Sequence, residues 1–278
     1  MESLRTSSLF HYTNFNGLKR ILAEGLVPNY CSEDLTVGER EFVIGLPMVC
    51  FCDIPLTRTD EFTKRYGRHA IALSKEWAAR NNINPILYAV DEDIIVSLRF
   101  YLNYEQTQLQ QVVQAGGNPH SLNINLNDPE SVNNIVPFIN HNNAYAANRK
   151  LCGYLKRYES EWQGKPLVNY VENEWRFVVG ESEQTPWFWN RADYMAWRGN
   201  VENPKPIPGE NLMSHRLSFE AADVTHIILE KEDQVARMID FIDNSKFTRV
   251  GGGTDVTATD KKVLISRIIS LERVAKDF

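Results

Sequence analysis

Between Tyr170 and Val179 the chain reads Tyr-Val-Glu-Asn-Glu-Trp-Arg-Phe-Val-Val. A period of two divides this stretch into an apolar face, Val171, Trp175, Phe177 and Val179, and a charged face, Glu172, Glu174 and Arg176. That is the pattern of a half-buried strand, which commits the chain to a sheet with one packed face. Glu172 and Glu174 stand about 7 Å apart along such a strand. Each disfavours ionisation of the other while Arg176 favours it. The arrangement suits a catalytic carboxylate, and it equally suits the solvated face of an antiparallel strand.

The rest of the composition narrows the class. A 278-residue chain that is 43% hydrophobic can bury a sizeable core. Its net charge of -6 argues against coating nucleic acid by charge alone, so any such contact must be local. No apolar run reaches membrane-spanning length, and Met1-Glu2-Ser3-Leu4-Arg5 leads into a strand-like segment instead of a signal sequence. The expectation is a cytoplasmic protein without membrane contact. Cys31, Cys50, Cys52 and Cys152 are too few for a disulfide framework, and no Cys or His pair completes a zinc site. Buried thiols and no metal are expected.

Taken in order, Ser8 to Thr13 reads as a strand and Asn14 to Leu26 as a helix that Thr13 or Asn14 can cap and Gly25 can end. The apolar run from Phe42 to Pro55 reads as a buried strand. A short helix over 59–66, a strand over 69–73, a helix over 75–82 and a strand over 85–90 follow. From about 91 to 158 two long helical patterns, 92–114 and 128–158, suggest a helical insertion split by Gly116-Gly117-Asn118-Pro119. Within it Tyr158-Glu159-Ser160-Glu161-Trp162 echoes the later Glu172-Asn173-Glu174-Trp175 but falls at a helix end. The tail reads as a strand over 224–229, a helix over 233–243, a Gly251-Gly252-Gly253 connector and a final strand over 263–269. The triple glycine lacks the Lys and Ser or Thr of a phosphate loop.

Three pieces in this order resemble the signature of ADP-ribosyltransferases: Phe10-His11-Tyr12-Thr13, Cys50-Phe51-Cys52-Asp53, and Glu172-Asn173-Glu174-Trp175-Arg176. With Gly17-Leu18-Lys19-Arg20-Ile21-Leu22, Arg65-Tyr66-Gly67, Leu73-Ser74-Lys75-Glu76-Trp77 and Asn84-Pro85, the chain is similar to the AbiGi family of phage abortive-infection proteins. The resemblance implies an α+β fold with two facing sheets forming an NAD cleft, in one domain carrying the insertion, and the toxin's role in a toxin–antitoxin system, with a cognate antitoxin protein as its partner. It also implies residue roles. His11 would hold the adenosine-side ribose with Tyr12 and Thr13 beside it. Phe51 and Cys52 would fall on the second NAD strand, where relatives carry Ser or Thr, and Tyr66 would lie near the nicotinamide. Glu174 would be the catalytic glutamate and Glu172 the residue that orients the acceptor.

The chemistry so implied is cleavage of the nicotinamide–ribose bond through an oxocarbenium-like transition state, which a carboxylate beside the sugar stabilises as positive charge develops. For the acceptor, Trp187, Trp189 and Arg191, with Tyr194, Trp197 and Arg198 behind them, interleave rings and guanidinium groups as single-stranded nucleic acid requires, and Arg176 joins them from the charged strand. RNA is the expected acceptor before DNA, with protein as the alternative. The rival class is a non-catalytic antitoxin, or a nucleic-acid-binding member of such a pair, that keeps the fold. For Tyr194 and Trp197 the alternative is packing in the core.

Overall fold

The computed structural model describes residues 6–56, 65–114, 129–162, 164–199 and 212–277. The helix expected over 59–66 lies largely outside these residues, as does the 116–119 breaker.

The first strand, β1 (Ser8–Thr13), turns into helix α1 (Phe15–Glu24), with the Asn14 side chain accepting the Gly17 N–H at the helix start. Two strands, β2 (Asn29–Asp34) and β3 (Val43–Cys52), form the next hairpin, and β4 (His69–Ser74) leads directly into α2 (Lys75–Arg80). The strand expected over 85–90 is broken into β5 (Asn84–Pro85) and β6 (Leu87–Ala89). The insertion then rises as α3 (Glu92–Gln114) and returns as α4 (Pro129–Cys152). It rejoins the body through β7 (Leu155–Arg157), which pairs in parallel with β6, so the insertion leaves and re-enters side by side.

The second helical pattern therefore stops short of Tyr158. Glu159 to Trp162 is not a helix end but β8, which forms a two-stranded ribbon with β9 (Lys165–Val168). The charged strand is shorter than its pattern as well. Asn169–Glu172 is a 3-10 turn, Asn173 sits in the left-handed region (φ 41), and only β10 (Glu174–Val178) is strand. After α5 (Arg191–Gly199) come β11 (Val224–Leu229), α6 (Gln234–Asp243), α7 (Ala258–Ser266), β12 (Ile268–Ser270) and α8 (Leu271–Asp277). The expected final strand over 263–269 is thus mostly helix. Thr257 and Asp260 cap each other's backbone at its start, and that local signal prevails over the short apolar run.

Eight strands form one sheet in the order β12-β11-β4-β1-β3-β10-β5, with β2 also on β3. The expectation of two facing sheets is corrected: the described residues form this sheet and two two-stranded ribbons. On one face α1, α2, α6 and α7 bury Leu18, Leu22, Trp77, Met238, Ile242 and Leu264 against Leu9, Phe51, Ile71, Leu73 and Ile227. On the other face Phe10, Tyr12, Cys52, Ala70, Ala72 and Ile228 form a smaller core. A third cluster seats the insertion: Ile95 and Leu102 of α3 cluster with Phe42 and with Ile44, Leu46 and Met48 of β3.

The triple glycine is a connector, as its composition suggests, and it also closes α1. Gly251 and Gly252 donate their N–H groups to the carbonyls of Leu22 (2.7 Å) and Ala23 (3.0 Å), which the helix leaves unpaired. A Cβ on Gly252 would come 2.2 Å from the Glu24 carbonyl oxygen, and its φ of +67 already disfavours any side chain.

Candidate functional site

The long strand β3 has one edge covered by β10 and the other shared by two strands. On the shared edge β2 pairs with residues 43–48, while β1 pairs only at Cys52, opposite Phe10. Between Met48 and Cys52 the sheet forks. The His11 ring fills the fork: its Nδ1 lies 2.8 Å from the Cys50 carbonyl oxygen, so Nδ1 carries the proton and the lone pair of the neutral ring is on Nε2. Burial holds the His11 pKa below 6.5 against the pull of that hydrogen bond, which keeps the ring neutral at pH 7.

A cavity of about 620 Å³ passes through this fork. Its wall takes Gly17, Arg20 and Ile21 from α1, His11, Tyr12 and Thr13 from β1, Cys31 and Glu33 from β2, and Lys156, Glu172 and Glu174 from the far side. Where two sheets were expected to face each other, the second wall is instead β7, the β8–β9 ribbon and the 3-10 turn.

The charged face of β10 points inward. Glu174 and Arg176 are buried, Arg176 completely, while Trp175 and Phe177 are only half-buried. The expectation of a solvated charged face is therefore reversed. Burial of a guanidinium is tolerable only if its donors are met, and they are. Arg176 Nε donates to Glu174 Oε1 (2.6 Å) and Nη2 to Glu174 Oε2 (3.0 Å), a two-pronged pair. Nη2 also donates to Glu33 Oε1 (2.6 Å) and Nη1 to the Gly153 carbonyl (3.0 Å).

Lys156 Nζ joins the two glutamates, donating to Glu172 Oε2 (2.8 Å) and Glu174 Oε2 (2.9 Å). Glu172 Oε1 takes Arg65 Nη1 (2.9 Å) and the Tyr66 hydroxyl (3.0 Å). Three carboxylates thus meet three cations. Although burial alone would push the Glu174 carboxyl up, Arg176 and Lys156 hold it far below the usual carboxylate range. Glu33 goes the other way, because burial outweighs the same two cations there. Burial pushes the Tyr66 hydroxyl up, and the Glu172 carboxylate adds to that.

Most of the residues expected at the site are brought together. His11, Tyr12, Thr13, Cys52, Tyr66, Glu172 and Glu174 all line the one cavity. The Tyr12 hydroxyl is buried there with no partner among the described residues. Cys52 lies between Phe10 and Glu174 in the register, where burial raises its thiol pKa. Four expectations are corrected. Phe51 is wholly buried on the opposite face between His11 (5.7 Å) and Trp77 (5.8 Å), so it has no face to offer a nicotinamide. Arg176 cannot meet an acceptor, because its donors are engaged inside. Trp187 is buried and donates Nε1 to the Val179 carbonyl (3.1 Å); stacked on Trp189 (5.8 Å), it is core and not an open platform. Arg191 pairs with Asp34 and Glu41 and does not line the cavity.

Tyr194 is buried, as its packing alternative had it, and Trp197 packs on Tyr30 (4.5 Å) and Phe188 (5.1 Å). The four thiols are free, and those of Cys52 and Cys152 are buried. The described residues hold no group of three or more His, Cys, Asp or Glu placed to bind a metal, and none of their helices is long and apolar enough to cross a membrane. Sequence reasoning missed Glu33, Arg65 and Lys156. Glu33 lies in a stretch between Leu26 and Phe42 to which no element was assigned and Lys156 in one read as helix, and no local pattern ties either to β10.

Fold and site together define an α+β protein whose forked sheet encloses a cavity floored by a charge-neutral cluster of buried ion pairs. A family model described as "Putative abortive phage resistance protein AbiGi, antitoxin" matches residues 24–230. The chain belongs to that family. The abortive phage resistance protein AbiGi of Lactococcus lactis subsp. cremoris is 25% identical over 249 residues, covering 84% of this chain and 89% of the relative. No solved structure matches the chain.

Proposed function

We propose that this chain acts in abortive phage resistance as the non-catalytic, restraining member of a toxin–antitoxin pair. The observation that carries the reading is the state of Glu174. A carboxylate speeds departure of nicotinamide only if it offers net negative potential to the ribose carbon as charge develops there. Here Arg176 grips both Glu174 oxygens and Lys156 takes a further share of one. A cation forming beside the cluster would meet those two fixed positive charges as well as the carboxylate. The glutamate serves packing, and the family description as an antitoxin agrees.

The test is expression. The chain produced alone leaves growth unchanged, and it restores growth when co-produced with the toxin encoded beside it. Growth arrest by the chain alone contradicts the reading.

A second reading, ADP-ribosyl transfer from NAD to single-stranded RNA, is favoured by a different observation. His11 presents Nε2 at the fork and borders the same cavity as Thr13, Glu172, Glu174 and Tyr66. Those groups suit a ribose hydroxyl, and a cavity of about 620 Å³ suits a dinucleotide. When bound, NAD would supply an activated ribose carbon; His11, Tyr12 and Thr13 would hold it. Transfer of label from NAD into RNA, DNA or protein by the purified chain, lost in Glu174→Gln, would establish this reading over the first.

A further inference from the structure

Charge nearly vanishes along the helical insertion once it leaves the sheet. In a chain of which 24% is charged, residues 100–114 of α3 hold a single acid, Glu105, and residues 135–148 of α4 hold no Asp, Glu, Lys or Arg. Glu105 is itself engaged, with its Oε2 2.7 Å from His141 Nδ1 across the two helices. The remainder is amide and apolar, and much of the apolar part faces water. Phe100 (65% exposed), Tyr101 and Tyr104 are exposed on α3, and Val136, Ile139 and Leu151 on α4. At 100° per residue, Phe100 and Tyr104 each project about 160° away from Leu102, the residue that faces the core. They are the outer side of the helix and not a frayed edge of its packed side.

The hairpin is also short of core. Ile95, Leu98, Leu102, Tyr145 and Cys152 anchor its base, but no residue of 103–114 or 135–144 belongs to any of the three core clusters. Beyond the base α3 and α4 pack along each other, and two helices alone cover only one stripe of each. The stable form of such a pair is a bundle.

The missing charge indicates what completes that bundle. An isologous contact sets a face against itself, so unpaired charges near the two-fold axis meet their own kind. A chain of net charge -6 resists such a contact over most of its surface, whereas this face has no unpaired charge to repel a copy. A partner selected by opposite charge would find nothing here to pair with. Exposed Phe and Tyr with little charge is the composition of an interface core. The size suffices as well. With 23 residues α3 is about 34 Å long, and two helices side by side present a face about 19 Å wide, so a copy would cover about 600 Å² on each side, the lower range of a specific interface.

We propose that two copies of this chain pair through the outer faces of α3 and α4, packing as a four-helix bundle with Phe100, Tyr101 and Tyr104 at its centre. None of the residues lining the forked-sheet cavity lies on α3 or α4, so the pairing leaves both cavities open and holds under either reading of them.

The test is sedimentation equilibrium of the full chain. The wild type sediments at twice the 32.0 kDa of one chain. Phe100→Glu and Tyr104→Glu, made separately, each raise the dissociation constant at least tenfold by bringing like charges together at the axis. Both positions are exposed, so the far-UV circular dichroism of each variant matches the wild type and the two variants check one another. Met195→Glu, at an exposed position on α5, leaves the constant unchanged. Raising the salt from about 0.05 M to about 0.5 M weakens the pairing by less than threefold, because no ion pair holds it. A wild-type monomer at about 100 μM would overturn the proposal, since its affinity would then be too weak for a specific contact. A dimer that survives both glutamate variants, or that Met195→Glu weakens as much as they do, would overturn it by placing the contact on another surface. Dissociation in salt would overturn it by showing that charge holds the copies together.

Discussion

Arg176 uses all three of its guanidinium nitrogens on partners brought from three places in the chain, Glu174 beside it, Glu33 on β2 and the Gly153 carbonyl where α4 ends, and Lys156 completes Glu174 from β7. A period of two showed that Glu172, Glu174 and Arg176 belong together. It could not show that their face is the buried one, because alternation divides residues into faces without saying which meets the core. Apolar residues on the other face normally decide that, but here the buried charges are neutralised by Glu33 and Lys156, which are far away in sequence. At Trp187 the lesson is similar. Trp187 and Trp189 stack on one side of their segment, and burial makes that side core. Trp187→Ala is expected to cost about 3–5 kcal/mol of stability, read by urea unfolding; an unchanged midpoint would put the indole back on the surface. His11 bears on pH. Its folded pKa is depressed below 6.5, so the stability it confers is present above that value and is lost as pH falls toward the folded pKa. Stability measured between pH 7.5 and 5 should fall, and His11→Gln should flatten part of that slope. Some slope remains from His226, whose pKa burial also lowers. An identical slope in His11→Gln would mean that folding leaves the His11 pKa where the unfolded chain has it.

Among the elements, those with strong local signals were legible: β1 and α1 with their Asn14 cap, β4, α2, the full span of α3, β11 and α6 all fall where periodicity and punctuation put them. The misses share a cause. β7, β8 and β9 are three- and four-residue strands that exist only because they pair with β6 or with one another, and so short a run has no period to read. The fork itself was illegible, since it depends on β1 and β2 dividing one edge of β3, a matter of register and not of composition. The triple glycine read correctly as a connector, but its role as the cap of α1 rests on tertiary contact. Gly252→Ala should therefore destabilise by more than about 1 kcal/mol, from the positive φ and the approach to the Glu24 carbonyl together. A variant as stable as the parent in urea would show that this loop does not hold α1.

For the molecule as a whole, the buried ion cluster is the point where the insertion, the hairpin β2–β3, the ribbon side and β10 are joined. The insertion re-enters at Gly153 and Lys156, both bonded to the cluster. A member of this family built this way keeps a cavity of dinucleotide size, and on the reading proposed above Glu174 serves as a structural anion. The two roles of Glu174 make opposite demands on stability. A catalytic carboxylate held ready for substrate is commonly a strained group whose removal leaves the fold as stable or more so. An anion that neutralises a wholly buried guanidinium is not, because removing its charge strands the cation, at a cost of about 3–5 kcal/mol. The deciding measurement is the unfolding free energy of Glu174→Gln against the wild-type chain, by urea denaturation at pH 7. The account predicts a loss of about 3 kcal/mol or more, with the denaturant slope unchanged. Stability equal to or above that of the wild type would contradict it and return Glu174 to the role of a catalytic residue.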